Sequence, residues 1–265
     1  MKGEKEKMKK FCAVFGIFRN EYRFLPLWIK YYSNLFGMEN LYILDHCSTD
    51  GSTKDLECNV EAFGKPEIRY SNRCRNDIYN MIIKKHVELL KEYEHVICVD
   101  ADEFIFVTPK YENLKEYIEV KGDISACTGY EIIQQPDEND LDWDKPILNQ
   151  RNKWIKLNTY NKKVIVSEKT NWSKGLHYLY GKEKNIIKQE IDEDLILCHL
   201  HRVDYKHCKE KYLLENNPRA KDIGFPLFTK KENFDNYFVD INYHITFGAT
   251  TTKLTRIPKE FKNII

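Results

Sequence analysis

The stretch HVICVDADEFIF (95–106) decides how this chain is read. Val96-Ile97-Cys98-Val99 is an unbroken apolar run of the kind that is buried on both faces, and it stops at Asp100-Ala101-Asp102-Glu103 before apolar residues resume at Phe104. Read as one extended segment, it is the strongest strand in the sequence. Side chains alternate along a strand, so Asp100 and Asp102 project to one side and Ala101 leaves the other uncrowded. Two carboxylates converging at a strand end suit a hard divalent cation, which takes oxygen ligands and keeps positions open for phosphate oxygens. A lone Asp-x-Asp is more often the solvated end of a strand; the apolar lead-in and the Glu103-Phe104 that follows favour the metal.

Upstream, FCAVFGIF (11–18) is a second buried run, ending in Arg19-Asn20-Glu21. LPLWIKYYSNLFG then spaces Leu25, Trp28, Tyr32 and Leu35 for a helix that stops at Gly37. LYILD (41–45) is a short strand, CSTDGS a turn, EIRYSN (67–72) a strand, and Asn76 to Tyr93 an amphipathic helix with Ile78, Ile82 and Leu89 on one side. Helices alternating with strands in this order predict an α/β fold with a mostly parallel, Rossmann-like central sheet flanked by helices and ligands at the carboxyl ends of its strands. Further on, DISACTGYEIIQ (123–134), KVIV (163–166) and DLILCHLHR (194–202) read as strands, QPDENDLDWDKP as an acidic loop and YKHCKEKYLLEN (205–216) as a helix ending before Pro218. Residues 218–265 read as an irregular C-terminal extension packed on the core, and 1–10 as a flexible basic terminus.

The 42 basic and 41 acidic side chains leave a formal net charge of +1. A chain that held nucleic acid through its phosphates would carry a marked basic excess, so that class is set aside. An apolar share of 42% is enough for a sizeable core. None of the eight cysteines forms a CxxC pair, which excludes zinc-ribbon spacing; several sit in apolar runs and read as reduced core residues. The first ten residues lack the apolar stretch of a signal peptide, and no window approaches the roughly 20 apolar residues of a membrane span. Asn171-Trp172-Ser173 matches a glycosylation sequon and reads as chance. The expected location is cytoplasmic, with the basic tip available for peripheral contact with the inner membrane face.

Arg19 and Asn20 follow the first strand and Asp45 ends the second, so polar groups gather with Asp100 at one sheet edge. The combination FGIFRNEYRFLPLWIKYYSNLFGMENLYILDHCSTDGS followed by VICVDADEF resembles the nucleotide-binding half of GT-A glycosyltransferases, specifically the family 2-like enzymes with a DxD motif. The resemblance covers residues 11–107, within a catalytic domain of 11–217 whose remainder, 108–217, forms the acceptor half. It implies that Ile17, Arg19, Asn20 and Asp45 contact the base and ribose of a nucleotide sugar. It also implies that Asp100 and Asp102 hold Mn2+ or Mg2+ on the diphosphate, with Asp100 closer to the ribose, and Ala101 between them is a further candidate for contact with the nucleotide sugar.

GT-A enzymes commonly add a late-strand histidine, and His199 is the first choice, with His201 its rival; a core histidine is the plainer reading of either. His177 and Trp172 are candidates for phosphate or acceptor contact, and Arg202 and Lys211 for the diphosphate, where a cation meets developing charge. Trp143 and Trp154 join Trp172 as candidates for an aromatic platform under sugar rings. A catalytic base for an inverting transfer is sought among Asp137, Glu138 and Glu131. The expected activity is a metal-dependent transfer of a hexose from a UDP-linked donor to a glycan or lipid-linked acceptor. The rivals are a sugar nucleotidyltransferase, which the absence of a glycine-rich phosphate loop after FGIF disfavours, and a non-catalytic carbohydrate-binding protein.

Overall fold

The computed structural model describes residues 8–64, 72–122, 125–173, 175–181, 183, 185–213 and 253–265. In chain order the elements are β1 (Lys10–Phe18), α1 (Phe24–Phe36), β2 (Leu41–Asp45), β3 (Asn59–Ala62), α2 (Asn72–Leu89), β4 (Tyr93–Cys98), β5 (Glu103–Val107), α3 (Leu114–Lys121), β6 (Ala126–Ile133), β7 (Lys153–Lys156), β8 (Ile165–Val166), β9 (Leu179–Tyr180), β10 (Ile186–Ile187), β11 (Ile191–Arg202), α4 (Tyr205–Leu213) and β12 (Thr255–Arg256). The first sheet has the order β3-β2-β1-β4-β8, with the first four strands parallel and β8 antiparallel at the edge. This is the mixed α/β, Rossmann-like arrangement expected from the alternating pattern.

The 95–106 segment departs from a single strand. β4 ends at Cys98, the chain turns through Val99–Asp102 with Glu103 N–H donating to the Asp100 carbonyl (3.1 Å), and β5 enters a second sheet. That sheet has the order β12-β7-β6-β11-β5 and is mixed, with β6 and β11 parallel and the other pairs antiparallel. The acidic residues break the apolar run because the chain changes sheets there.

Helix α1 lies along the seam. Its Phe24, Leu25, Trp28, Tyr32 and Phe36 form one buried stripe, each large apolar side chain withdrawn from water contributing roughly 2 kcal/mol. The hydroxyls of Tyr31 and Tyr32 donate to the carbonyls of Ile105 and Glu103 on β5, at 2.6 and 3.2 Å. α2 covers the opposite face of the first sheet through Met81, Ile82 and Leu89. Gly16 on β1 is required by proximity, since a Cβ there would stand 2.3 Å from the Val99 carbonyl oxygen. The close approach lets Val99 N–H donate to the Phe15 carbonyl (3.1 Å) and keeps the Asp100 turn level with the end of β1.

Several expected elements move. The strand at 67–72 lies almost entirely outside the described residues, as do 1–7 and 214–252; β3, β7 and β12 are too short to show a period, and α3, whose Leu114, Tyr117 and Ile118 keep helical spacing behind the Asn113 cap, is an element the sequence pattern carries but that was not among those expected. The last stretch, 253–265, pairs β12 with β7 and buries Ile257 and Phe261, whose ring meets Phe106 and Trp154. Six of the described cysteines are buried free thiols and Cys47 is half-buried. No described helix is long and apolar enough to cross a membrane.

Candidate metal centre

Strand periodicity puts His199 and His201 on one face of β11, where their rings stack at 5.4 Å with planes 8° apart. Asp102 reaches them from the β4–β5 turn, which Leu200 ties to β11 by donating its N–H to the Asp102 carbonyl (2.8 Å). Asp102 Oδ2 stands 3.4 Å from His201 Nδ1 and 3.8 Å from His199 Nε2. One donor atom from each of the three residues falls within 4.8 Å of the others. Two imidazoles and a carboxylate on one side of a site match the ligand set of divalent-metal enzymes that keep positions open. Asp100 stays outside this trio, its side chain 53% exposed at the rim.

A row of charges underlies the trio. His199 is the register partner of Glu103 on β5 and of Glu131 on β6, so the three side by side span neighbouring strands. Both glutamates are fully buried, and an unpaired buried carboxylate would cost several kcal/mol, so each has its own cation. Lys162 Nζ lies 2.5 Å from Glu103 Oε1 and 4.0 Å from Asp100 Oδ2. Arg202 donates Nε and Nη2 to the two oxygens of Glu131 at 2.7 and 2.6 Å. Glu103 Oε2 also accepts from Asp100 N–H (3.3 Å), bracing the turn.

The three side chains shift one another's protonation in different directions. Burial opposes ionisation of Asp102, but His199, the hydrogen bond from His201 and the charge of Lys211 hold its carboxyl well below the ordinary range. Burial would likewise lower His199, yet Asp102 and Glu131 raise it, so this ring favours its protonated form. Burial dominates at His201, whose pKa falls. A divalent cation would therefore take the place of the proton on His199, and binding would release it.

Tyr160 closes one side. Its ring lies 4.2 Å from that of His199, tilted 30°, and 6.5 Å from that of His177, whose Nδ1 is 2.6 Å from the Thr159 carbonyl oxygen. Burial and the Lys162 charge lower the His177 pKa. Tyr160 can pack there because Gly129 on β6 offers no Cβ: one would meet the Tyr160 Cβ, carbonyl carbon and oxygen at 2.4–2.6 Å.

The expected nucleotide residues line the carboxyl edge of the first sheet. Phe18 and Asp45 are register partners at the ends of β1 and β2. Asp45 accepts from Ser48 N–H (2.9 Å) and the Thr53 hydroxyl (3.1 Å), so it organises its turn with both oxygens. Asn20, at φ 54°, accepts from Thr49 N–H (2.7 Å), and Arg19 Nη1 is 3.4 Å from His46 Nδ1. Ile17 is half-buried, and Ala101 is buried inside the turn.

Five residues change assignment on this geometry. Glu131 is fully buried and held by Arg202 at both oxygens, so it cannot meet an acceptor hydroxyl as a base; for the same reason the Arg202 guanidinium is a partner of Glu131. Trp172 is fully buried against His86 and donates Nε1–H to the Lys163 carbonyl (2.9 Å), and Trp154 packs on Tyr130 and Phe261; neither offers a sugar platform. Glu138 accepts from Gln135 and Asn152 N–H at 2.9 and 2.7 Å and staples its loop, while Asp137 is exposed. Lys211 pairs with Glu21 at 2.6 Å. Lys162 and Tyr160 escaped the sequence reading because YNKK reads as a polar loop; an apolar strand directly after Lys162 was the available hint.

No protein-family model matches the sequence, and no curated protein matches it significantly. Among solved structures, a mannosyltransferase from S. cerevisiae in complex with GDP overlaps 51% of this chain and 44% of its own at 14% identity and TM-score 0.25. A mannosyltransferase from Pyrobaculum calidifontis in complex with GDP-Man and Mn2+ overlaps 55% and 41% at 14% identity and TM-score 0.25. A mannose-1-phosphate geranyltransferase from Thermus thermophilus overlaps 94% and 76% at 9% identity and TM-score 0.30. The chain thus spans less than half the length of the first two. Overlaps of that size leave the functional reading to the site itself.

Proposed function

We propose that the chain is a metal-dependent glycosyltransferase of the GT-A type, moving a hexose from a nucleotide diphosphate sugar, UDP-linked first among the candidates, to a glycan or lipid-linked acceptor. The observation that carries the reading is the convergence of Asp102, His199 and His201 beside the carboxyl edge of a parallel β3-β2-β1-β4 sheet. Ligands of such sheets bind at that edge. Two nitrogen donors suit Mn2+ better than Mg2+, which prefers an oxygen shell. A bound cation would neutralise charge on the leaving diphosphate.

The chain's own residues then divide the work. Asp102 and the two histidines hold the cation, and Asp100 at the rim takes the ribose side of the donor. Ile17, Arg19, Asn20 and Asp45 frame the base and ribose. Lys211, held by Glu21, lies close enough to lower the Asp102 pKa and is the cation assigned to the diphosphate. His177, beside Tyr160, is assigned to the sugar or acceptor. Of the candidate bases, Asp137 alone remains uncommitted by the geometry.

Calorimetry with UDP and with GDP, each with and without Mn2+, tests the reading. Mn2+ should tighten nucleotide binding by about tenfold or more. Nucleotide binding indifferent to Mn2+ would overturn it. Incubation with UDP- and GDP-hexoses should release nucleoside diphosphate; pyrophosphate released from a nucleoside triphosphate and a sugar phosphate would identify a nucleotidyltransferase instead.

A further inference from the structure

The His177 ring is held in one tautomer. A carbonyl oxygen only accepts, so the 2.6 Å contact with Thr159 is a bond that His177 Nδ1–H donates, and a neutral ring then carries its lone pair on Nε2. Nε2 meets no hydrogen-bond partner among the described residues. Gly175 keeps the approach to it clear, since a Cβ there would stand 3.0 Å from His177 Cδ2 and 3.2 Å from Nε2. Gly175 is exposed and His177 half-buried, so a molecule arriving from solvent reaches Nε2 past this glycine.

The backbone that presents the ring is fixed on both sides. Gly175 and Leu176 are consecutive left-handed residues, at φ 80° and 63°, a conformation that a side chain as bulky as leucine rarely adopts. Leu176 keeps it because its side chain is buried beside Trp172 in the core and its N–H donates to the Ser173 carbonyl (3.0 Å). Ser173 also donates its N–H to the Tyr178 carbonyl (2.7 Å), and its hydroxyl accepts from Tyr178 N–H (3.0 Å). Opposite, the Thr159 carbonyl belongs to a turn tied to β6, where Asn161 accepts from Gly129 N–H (2.8 Å). Backbone strain persists where the surroundings impose it, and it gathers at functional sites.

The ring lies beside the candidate centre. Tyr160 neighbours both His177 and His199, and the charges of Lys162, Glu103 and His199 all reach His177. Burial first, and then Lys162, keep its imidazole neutral at neutral pH.

We infer that His177, an imidazole outside the carboxylates sought in the sequence, is the general base of an inverting transfer and takes the acceptor hydroxyl's proton on Nε2. The role rests on the glycosyl-transfer reading. As the acceptor oxygen bonds to the anomeric carbon, its O–H bond breaks and the proton passes to Nε2. The bond from the anomeric carbon to the diphosphate oxygen breaks, and its electron pair leaves with the nucleoside diphosphate. The imidazolium keeps its Nδ1–H bond to Thr159 and gives the Nε2 proton to solvent.

Two measurements on the full chain test the role. In 15N spectra at neutral pH, the imidazole signals that His177→Asn removes should be those of a ring protonated on Nδ1 and bare on Nε2. A proton on Nε2, alone or with one on Nδ1, would overturn the inference whether or not the chain transfers sugar. The second measurement is release of nucleoside diphosphate from UDP- and GDP-hexoses with Mn2+, water standing in for the acceptor. Asparagine keeps a donor for the Thr159 carbonyl but has no Nε2, so His177→Asn should slow release about a hundredfold or more. Its nucleotide affinity in Mn2+ should stay within about threefold of the parent's, with the thermal midpoint unchanged. Undiminished release by the variant, or a loss matched by an equal loss of nucleotide affinity, would overturn the base and leave the proposed function standing. A parent protein that releases nucleotide from none of the donors would overturn the glycosyl-transfer reading and this role with it.

Discussion

The Tyr160 ring lies 4.2 Å from the His199 ring, and it can lie there only because Gly129 leaves room for the Tyr160 backbone. Gly129→Ala would drive a methyl into atoms 2.4–2.6 Å away and push the Tyr160 segment off β6. Overpacking of this kind costs roughly 1–3 kcal/mol. Because the ring orients a proposed metal ligand, Mn2+ affinity should also fall about tenfold. Denaturant unfolding and Mn2+ titration followed by electron paramagnetic resonance measure the two separately. A loss of stability with unchanged Mn2+ affinity would show that Tyr160 does not orient His199.

The two aspartates of the turn should behave differently. Asp102 lies 3.4 and 3.8 Å from the two histidines, whereas Asp100 stands exposed outside the trio. Asp102→Asn should reduce Mn2+ affinity by about a hundredfold, while Asp100→Asn should leave it within about threefold and weaken nucleotide binding. Calorimetry with Mn2+ alone, then with nucleotide added, distinguishes them. Equal loss of Mn2+ affinity in both variants would restore a site with two carboxylate ligands.

Much of this was legible in the sequence, for reasons that can be named. Apolar runs at 11–18, 41–45 and 96–99, each ending in polar residues, define a parallel sheet and its ligand edge, because strands buried on both faces tolerate little else. The alternation in LILCHLHR puts both histidines on one face whatever else the chain does. The change of sheet after Cys98 was illegible, since an apolar run reads alike in one strand or two. The Lys162–Glu103 and Arg202–Glu131 pairs were hidden too: charged residues look solvated until the fold supplies a partner 60 or 70 positions away. The assignment of Glu131 as a base failed for this reason.

That buried pair makes a prediction of its own. Burial opposes ionisation of Glu131, but Arg202 and His199 override it and hold its pKa well below the ordinary 4.5. A carboxylate depressed in the folded state contributes stability at pH values above its unfolded pKa and loses it as the pH falls below. Glu131→Gln should therefore destabilise the protein by about 3–5 kcal/mol at neutral pH, leaving Arg202 buried without its charge partner. The deficit relative to the parent protein should narrow below about pH 4.5, where the parent loses the same contribution. Urea unfolding of both proteins across this range measures it, and a deficit independent of pH would show that shape rather than charge is responsible.

His207 on α4 is enclosed by the rings of Tyr22, Phe24 and Trp143 at 5.2–6.2 Å, and neither ring nitrogen has a hydrogen-bond partner. Burial first, and then the charge of Lys211, lower its pKa from 6.5 to about 4. The unfolded chain thus takes up a proton at a higher pH than the folded one. Stability contributed by the neutral ring is complete above the unfolded pKa and declines as the pH falls from 6.5 towards 4. At pH 5 the loss should amount to about 2 kcal/mol from this residue alone. His207→Phe keeps an aromatic ring in the enclosure and has nothing to protonate, so its unfolding free energy should fall by about 2 kcal/mol less than the parent's between pH 7 and pH 5. Equal declines in the two proteins would mean that the ring takes up its proton without leaving its aromatic surroundings.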